Sequence, residues 1–150
     1  MMVEQIFRQA ERQYPSECCG IILGPSEMPG IFSRLRPCGN AQDREHEKDP
    51  ARFSRTGGTA YFIDPADLLL VHKEARAGKE TFRAIYHSHI DAEAYFSDED
   101  TRMAAPEGEA LYPEAVYLVV SVKAGKAGGV AAFAWDGAAR AFQPLKVNLF

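Results

Sequence analysis

Apolar residues recur at helical spacing from the start of the chain. Val3, Ile6, Phe7 and Ala10 are separated by Glu4, Arg8, Arg12 and Gln13, which predicts an amphipathic helix over residues 2–14 that covers one side of a sheet. Tyr14-Pro15 ends it, because the residue before a proline is driven out of the helical region. Residues 18–23 form a short, nearly unbroken apolar run closed by Gly24-Pro25, and that length and punctuation favour a buried strand. Residues 31–36 alternate only loosely before Pro37 and predict a second, more exposed strand, able to pair with the first as a hairpin. Residues 40–59 are polar, with Gly57-Gly58 near their end, and read as a long mobile loop with little apolar material to anchor it. Beyond it the pattern predicts a short strand at 60–63. A helix opened by Asp64-Pro65 and capped by Gly78 follows, with Leu68, Leu69, Val71, His72 and Ala75 on its apolar side. A strand at 82–86, a helix at 97–105 begun by Ser97, and strands at 115–122, 129–135 and 141–147 complete the series. Helices alternating with and covering a mixed sheet predict an α/β or α+β architecture with helices on both faces.

A length of 150 residues suits one domain with a real core. The formal charge of −4, with Lys and Arg scattered among acids, argues against a nucleic-acid surface. Charges interrupt the apolar positions within the first dozen residues, unlike a signal peptide, and no apolar run approaches the roughly 18 residues of a membrane helix, so a cytoplasmic location is expected. Cys18, Cys19 and Cys38 are odd in number and lack C-x-x-C spacing; they read as small buried side chains, not as a disulfide framework or a zinc ribbon.

The chemistry concentrates in Tyr86-His87-Ser88-His89, then seven residues, then Ser97-Asp98-Glu99-Asp100. Side chains alternate faces on an extended chain, so His87 and His89 point the same way at the end of a strand. Asp100 is the third residue of a helix whose N-cap is Ser97, and a loop returning from the strand brings its carboxylate toward the imidazoles. Two imidazoles and a carboxylate leave a fourth tetrahedral position open for water, as in catalytic zinc sites, although the same donors also suit Fe(II). Ser97-x-x-Asp100 is equally close to a plain capping box, and Asp91, Glu93, Asp98 and Glu99 are rival carboxylates. His46 and His72 read as ordinary satisfied groups. A hydrolytic metal site also needs a base, for which Glu17, at the mouth of the first buried strand, is either the candidate or merely a solvated acid.

Glu17 followed by Cys18-Cys19-Gly20 and a buried strand, together with His87-Ser88-His89, seven residues, and Ser97-x-x-Asp100, resembles the JAMM metalloproteases, the catalytically competent MPN domains. The likeness extends to Tyr61-Phe62-Ile63-Asp64-Pro65 ahead of a helix and to the strand leading into the histidines. It implies a cytidine-deaminase-like fold, a mixed β-sheet flanked by helices, and a zinc-dependent peptidase or isopeptidase. His87, His89 and Asp100 are then the Zn2+ ligands, Glu17 the general acid/base, and Ser97 a hydrogen-bond donor to the oxyanion. The resemblance further implies a substrate: the C-terminal Gly-Gly tail of a ubiquitin-like sulfur-carrier protein, with the 40–59 segment as a flap beside the groove. A general small-peptide amidase and a non-catalytic scaffold module are the alternatives. Ile90 and Phe96 stand where many relatives carry proline; they are expected to line the groove with apolar surface. The short length resembles that of small stand-alone bacterial members.

Overall fold

Six strands in the order β2-β1-β3-β4-β5-β6 build the framework of the computed structural model, which describes residues 1–146. In chain order the elements are α1 (Met2–Gln13), β1 (Cys19–Pro25), β2 (Arg34–Cys38), α2 (Gln42–Lys48), α3 (Pro65–Gly78), β3 (Glu80–Ile90), α4 (Asp98–Ala104), a short 3-10 turn (Pro106–Gly108), β4 (Val116–Lys123), β5 (Lys126–Asp136) and β6 (Ala141–Leu145). The β3–β4 pair is parallel and every other pair antiparallel. No helix among the described residues is long and apolar enough to cross a membrane.

The central strands are apolar throughout because helices cover both faces of the sheet. On one face Val71 and Ala75 of α3 and Ala104 of α4 pack with Cys19, Ile21, Leu23, Ile85 and Tyr117. On the other, Ile6 and Ala10 of α1 pack with Cys18, Ile22, Ala84, Tyr86, Val120 and Val122. The helix α1 is also pinned by polar contacts: the Gln9 side chain donates to the Cys19 carbonyl at 3.0 Å and accepts from the Tyr86 hydroxyl at 2.6 Å. Gly20 makes room for this, since a Cβ there would collide with the hydroxyl end of the Tyr86 side chain. All three cysteines are free and buried, as expected from their lack of pattern.

Several boundaries differ from the sequence reading. The second strand begins at Arg34 and runs through Pro37, which an edge strand tolerates because its missing N–H leaves no ladder bond unmade. Ile31 and Phe32 instead lie in the irregular stretch between the preceding turn and β2 and are exposed. Residues 60–63 are not a strand and share one isolated bridge, Asn40 to Ile63, with the rest of the fold; their apolar character comes from contacts with side chains, Tyr61 on His87 and Phe62 on Phe53. The 40–59 segment is no structureless loop. It contains α2, buries Phe53, and is tied down by Gln42 Nε2 donating to the Arg55 carbonyl at 2.9 Å and by Gly57 N–H donating to Asp43 at 2.6 Å. The last strand ends at Leu145, and Val147, placed in it by the sequence pattern, lies outside the described residues.

Candidate active site

The strand β3 carries His87 and His89 past the end of its apolar stretch, on the same face as Ile85. Their Nε2 atoms lie 3.3 Å apart. The helix α4 brings Asp100 against both, with Oδ1 3.1 Å from His87 Nε2 and Oδ2 3.0 Å from His89 Nε2. The capping box is present as well: Asp100 N–H donates to Ser97 Oγ at 3.0 Å, and Ser97 N–H donates to Asp100 Oδ2 at 3.0 Å. The two readings of Ser97-x-x-Asp100 are therefore one device, because the cap fixes the rotamer that presents the carboxylate to the imidazoles.

All three side chains are buried. Among the described residues they are the one group of three or more His, Cys, Asp or Glu able to hold a metal ion, with one donor atom from each lying within 4.8 Å of the others. Three of the four rival acids are engaged elsewhere: Asp91 accepts from Tyr14 and the Ala124 amide, Glu99 pairs with Arg102, and Glu93 pairs with Lys123; the fourth, Asp98, is exposed to solvent.

The donor set fits a divalent cation. His89 Nδ1 lies 3.1 Å from the Glu93 carbonyl, which can only accept, so a neutral His89 carries its proton there and turns a lone pair on Nε2 toward Asp100. A lone pair facing a carboxylate at hydrogen-bond distance repels it unless a positive charge lies between them. Burial pushes the His87 imidazole pKa down against the pull of Asp100, favouring the neutral form that binds metal. Although burial opposes it, the two imidazoles and the Ser97 N–H hold Asp100 well below the usual carboxylate range. Tyr61 stacks on His87 with centroids 4.3 Å apart and fixes the ring plane.

Glu17 leads into β1 and reaches the same place. Its main chain is clamped from both sides: its N–H donates to the Gly57 carbonyl at 2.7 Å, and its carbonyl accepts from Asn40 Nδ2 at 3.0 Å. Ser88, between the two histidines, latches the next residue, accepting from Cys18 N–H at 2.8 Å and donating its own N–H to the Cys18 carbonyl at 3.1 Å. This latch sets the histidine strand and Glu17 in register. Glu17 itself is buried, and its Oε1 has no partner, an orphaned atom that calls for a proton or a ligand group. Burial, with help from the Asp100 charge and against Arg55, raises its pKa to about 9; a bound dication would draw it back down.

A cleft of about 140 Å³ opens over the cluster, lined by Glu17, Arg55, His89, Ile90, Tyr95 and Ser97 among others. Ile90 faces it as expected. Phe96 does not: it turns into the core against Tyr117, Phe133 and Phe142, at centroid distances of 5.4, 5.3 and 4.7 Å. The neighbouring Tyr95 takes the cleft position, edge-on to His89 with centroids 4.8 Å apart. Arg55 and Tyr95 carried no signal in the sequence, since one sits in a polar run and the other in an acidic loop. His46 and His72 are satisfied groups, the first against the Phe53 carbonyl at 2.6 Å and the second against the Tyr112 hydroxyl at 3.3 Å.

Comparison with known proteins bears on the fold and the family. The family model described as prokaryotic homologs of the JAB domain matches residues 1–136. CysO-cysteine peptidases of Mycobacterium tuberculosis and Mycobacterium bovis are 28% identical over 122 residues, covering 81% of this chain and 70% of theirs. A solved structure from Desulfitobacterium hafniense superposes with a TM-score of 0.69 at 21% identity, covering 97% of this chain and 86% of its own. One from Salinibacter ruber gives 0.63 at 20%, covering 97% and 85%. The two solved structures establish the fold, and the family and its curated relatives support a peptidase role. The chain belongs to the prokaryotic homologues of the JAB domain, in line with the JAMM resemblance of its motif.

Proposed function

We propose that the chain, as one domain working in the cytoplasm, is a zinc-dependent peptidase that cuts at the C-terminal Gly-Gly tail of a ubiquitin-like sulfur carrier. The observation that carries the reading is the convergence of His87, His89 and Asp100 beside a buried, unpartnered Glu17 carboxyl at one small cleft.

His87, His89 and Asp100 hold the ion, which when bound supplies Lewis acidity for a carbonyl and an acidified water. Glu17 accepts a proton from the attacking water and delivers it to the departing amine, a role suited to a carboxyl whose pKa is raised by burial. Ser97 Oγ receives the Asp100 N–H, which leaves its own O–H free to donate to the oxygen of the scissile carbonyl. A Gly-Gly segment suits a narrow cleft because no Cβ obstructs it. The sulfur-carrier part of the reading rests on relatives named CysO-cysteine peptidase.

Ser97→Ala should lower kcat by about 100-fold, the lower end of what losing one oxyanion donor costs. It should also destabilise the fold by about 1 kcal/mol through loss of the helix cap. Steady-state kinetics and urea denaturation read the two effects separately; an unchanged kcat would leave Ser97 only its capping role.

The substrate reading is tested by offering the zinc-loaded enzyme a sulfur carrier with a C-terminal extension, its free tail peptide and an unrelated unfolded protein, with products read by mass spectrometry. Cleavage of the carrier alone, or far ahead of the peptide, is expected. Equal cleavage of carrier and peptide would support a general peptidase, and no cleavage of any of them a scaffold.

A further inference from the structure

Arg55 is the only lysine or arginine among the described residues that line the cleft. It arrives there from the far end of the 40–59 segment, whose fold is fixed by the Gln42 contact to its own carbonyl and by the Gly57–Asp43 bond two residues on. Its guanidinium has no carboxylate within ion-pairing distance among the described residues. The one hydrogen bond it makes is a long one, 3.5 Å, to the Thr59 carbonyl. Yet its charge reaches Glu17, whose carboxyl it draws toward ionisation. An arginine without an anion, held beside the group that serves the leaving amine, presents its donor fork to whatever that amine is attached to.

We infer that Arg55 binds the free α-carboxylate of the leaving residue, so that the enzyme removes a single C-terminal amino acid and not a longer extension. The inference rests on the peptidase reading above. In the reaction the carbonyl carbon–nitrogen bond breaks, the water oxygen joins the acyl carbon to give a carboxylate, and both water protons end on the departing nitrogen, which leaves as an ammonium. The carbon next to that nitrogen bears the α-carboxylate when the leaving group is one residue. Glu17 serves the nitrogen and lines the same small cleft as Arg55, so a carboxylate one carbon from that nitrogen is the leaving-group anion nearest to the arginine. The size of the cleft agrees: about 140 Å³ is well below the roughly 300–1,000 Å³ of pockets that enclose drug-sized ligands. One more residue would shift the carboxylate by about 3.5 Å, out of hydrogen-bond reach.

The test uses a sulfur carrier whose Gly-Gly tail is extended by one cysteine with a free carboxylate, by the same cysteine as its carboxamide, or by two residues. Each is given to the zinc-loaded native enzyme and to Arg55→Ala and Arg55→Lys. The native enzyme should cleave the free acid with a kcat/KM about 10- to 100-fold above the amide and the two-residue extension, the range expected for hydrogen bonds to a charged group. Arg55→Ala should treat acid and amide alike, and Arg55→Lys should recover only part of the difference because it keeps the charge without the planar fork. Native enzyme that cleaves acid and amide equally would overturn the role of Arg55 while leaving the peptidase standing. Failure to cleave any of the three would overturn the peptidase reading, and the inference with it.

Discussion

Glu17→Gln should leave the metal in place and the fold intact while lowering kcat by about 100- to 10,000-fold, the usual worth of a general acid/base. The glutamine amide matches the size of the carboxyl and fills the same buried position, but it can neither accept the water proton nor carry it to the amine. Metal content and circular dichroism would be measured beside the rate, so that a loss of chemistry is told apart from a loss of structure. Full activity in this variant would remove Glu17 from the mechanism. The metal-free protein gives a second readout. Burial raises the Glu17 pKa from an ordinary 4.5 to about 9, so the folded state holds a proton that the unfolded chain has released across that window. Stability of the metal-free protein should therefore fall as pH rises from about 4.5 to about 9. Glu17→Gln should lack that part of the decline. Thermal unfolding of the two proteins at several pH values checks the sign.

Removal of any one of His87, His89 or Asp100 should empty the site and abolish hydrolysis. The loss of metal affinity should exceed the 10- to 100-fold typical of deleting a partner outside the coordination shell. Asp100 permits a finer separation, because it both caps α4 and faces the imidazoles. Asp100→Asn keeps an oxygen to accept the Ser97 N–H but drops the charge, so it should lose metal with little change in helix stability. Asp100→Ala should lose metal and also loosen the helix start, adding about 1 kcal/mol of destabilisation. Elemental analysis of the purified proteins decides the matter and names the metal at the same time: zinc at about one per chain is expected for a single catalytic site, whereas iron would point to a non-haem oxygenase, whose Fe(II) takes the same two imidazoles and one carboxylate. Unchanged metal in all three variants would end the assignment.

The sequence by itself determined the parts of this protein that depend on neighbours a few residues apart. Period-two alternation put His87 and His89 on one face, helical spacing gave α1 and α3, and the three-residue spacing from Ser97 to Asp100 wrote both the cap and the carboxylate position. Those patterns are local, because strand alternation and helix capping act over one to four residues. The family resemblance extended the reading to Glu17, which lies seventy residues from His87 and could not be joined to it by any local rule. What joins them is the antiparallel register of β1 on β3, with Cys19 opposite His87, and the Ser88–Cys18 latch.

The tertiary structure alone decided the rest. Residues 60–63 look like a strand but serve as packing: Tyr61 stacks on His87 and Phe62 packs on Phe53, while their one bridge is to Asn40. The polar 40–59 stretch folds because Asn40, Gln42 and Asp43 satisfy its backbone groups, work that composition does not reveal. Tyr95 and Phe96 are adjacent aromatics, and which of them faces the cleft depends on a core of Tyr117, Phe133 and Phe142 contributed by β4, β5 and β6. Arg55 lines the same cleft as Glu17 through a tertiary contact two residues on, where the Gly57 carbonyl accepts from the Glu17 amide. In each case the deciding contact spans a sequence separation that no periodicity encodes, so burial and register, settled when the whole chain packs, choose among side chains that the sequence leaves equivalent.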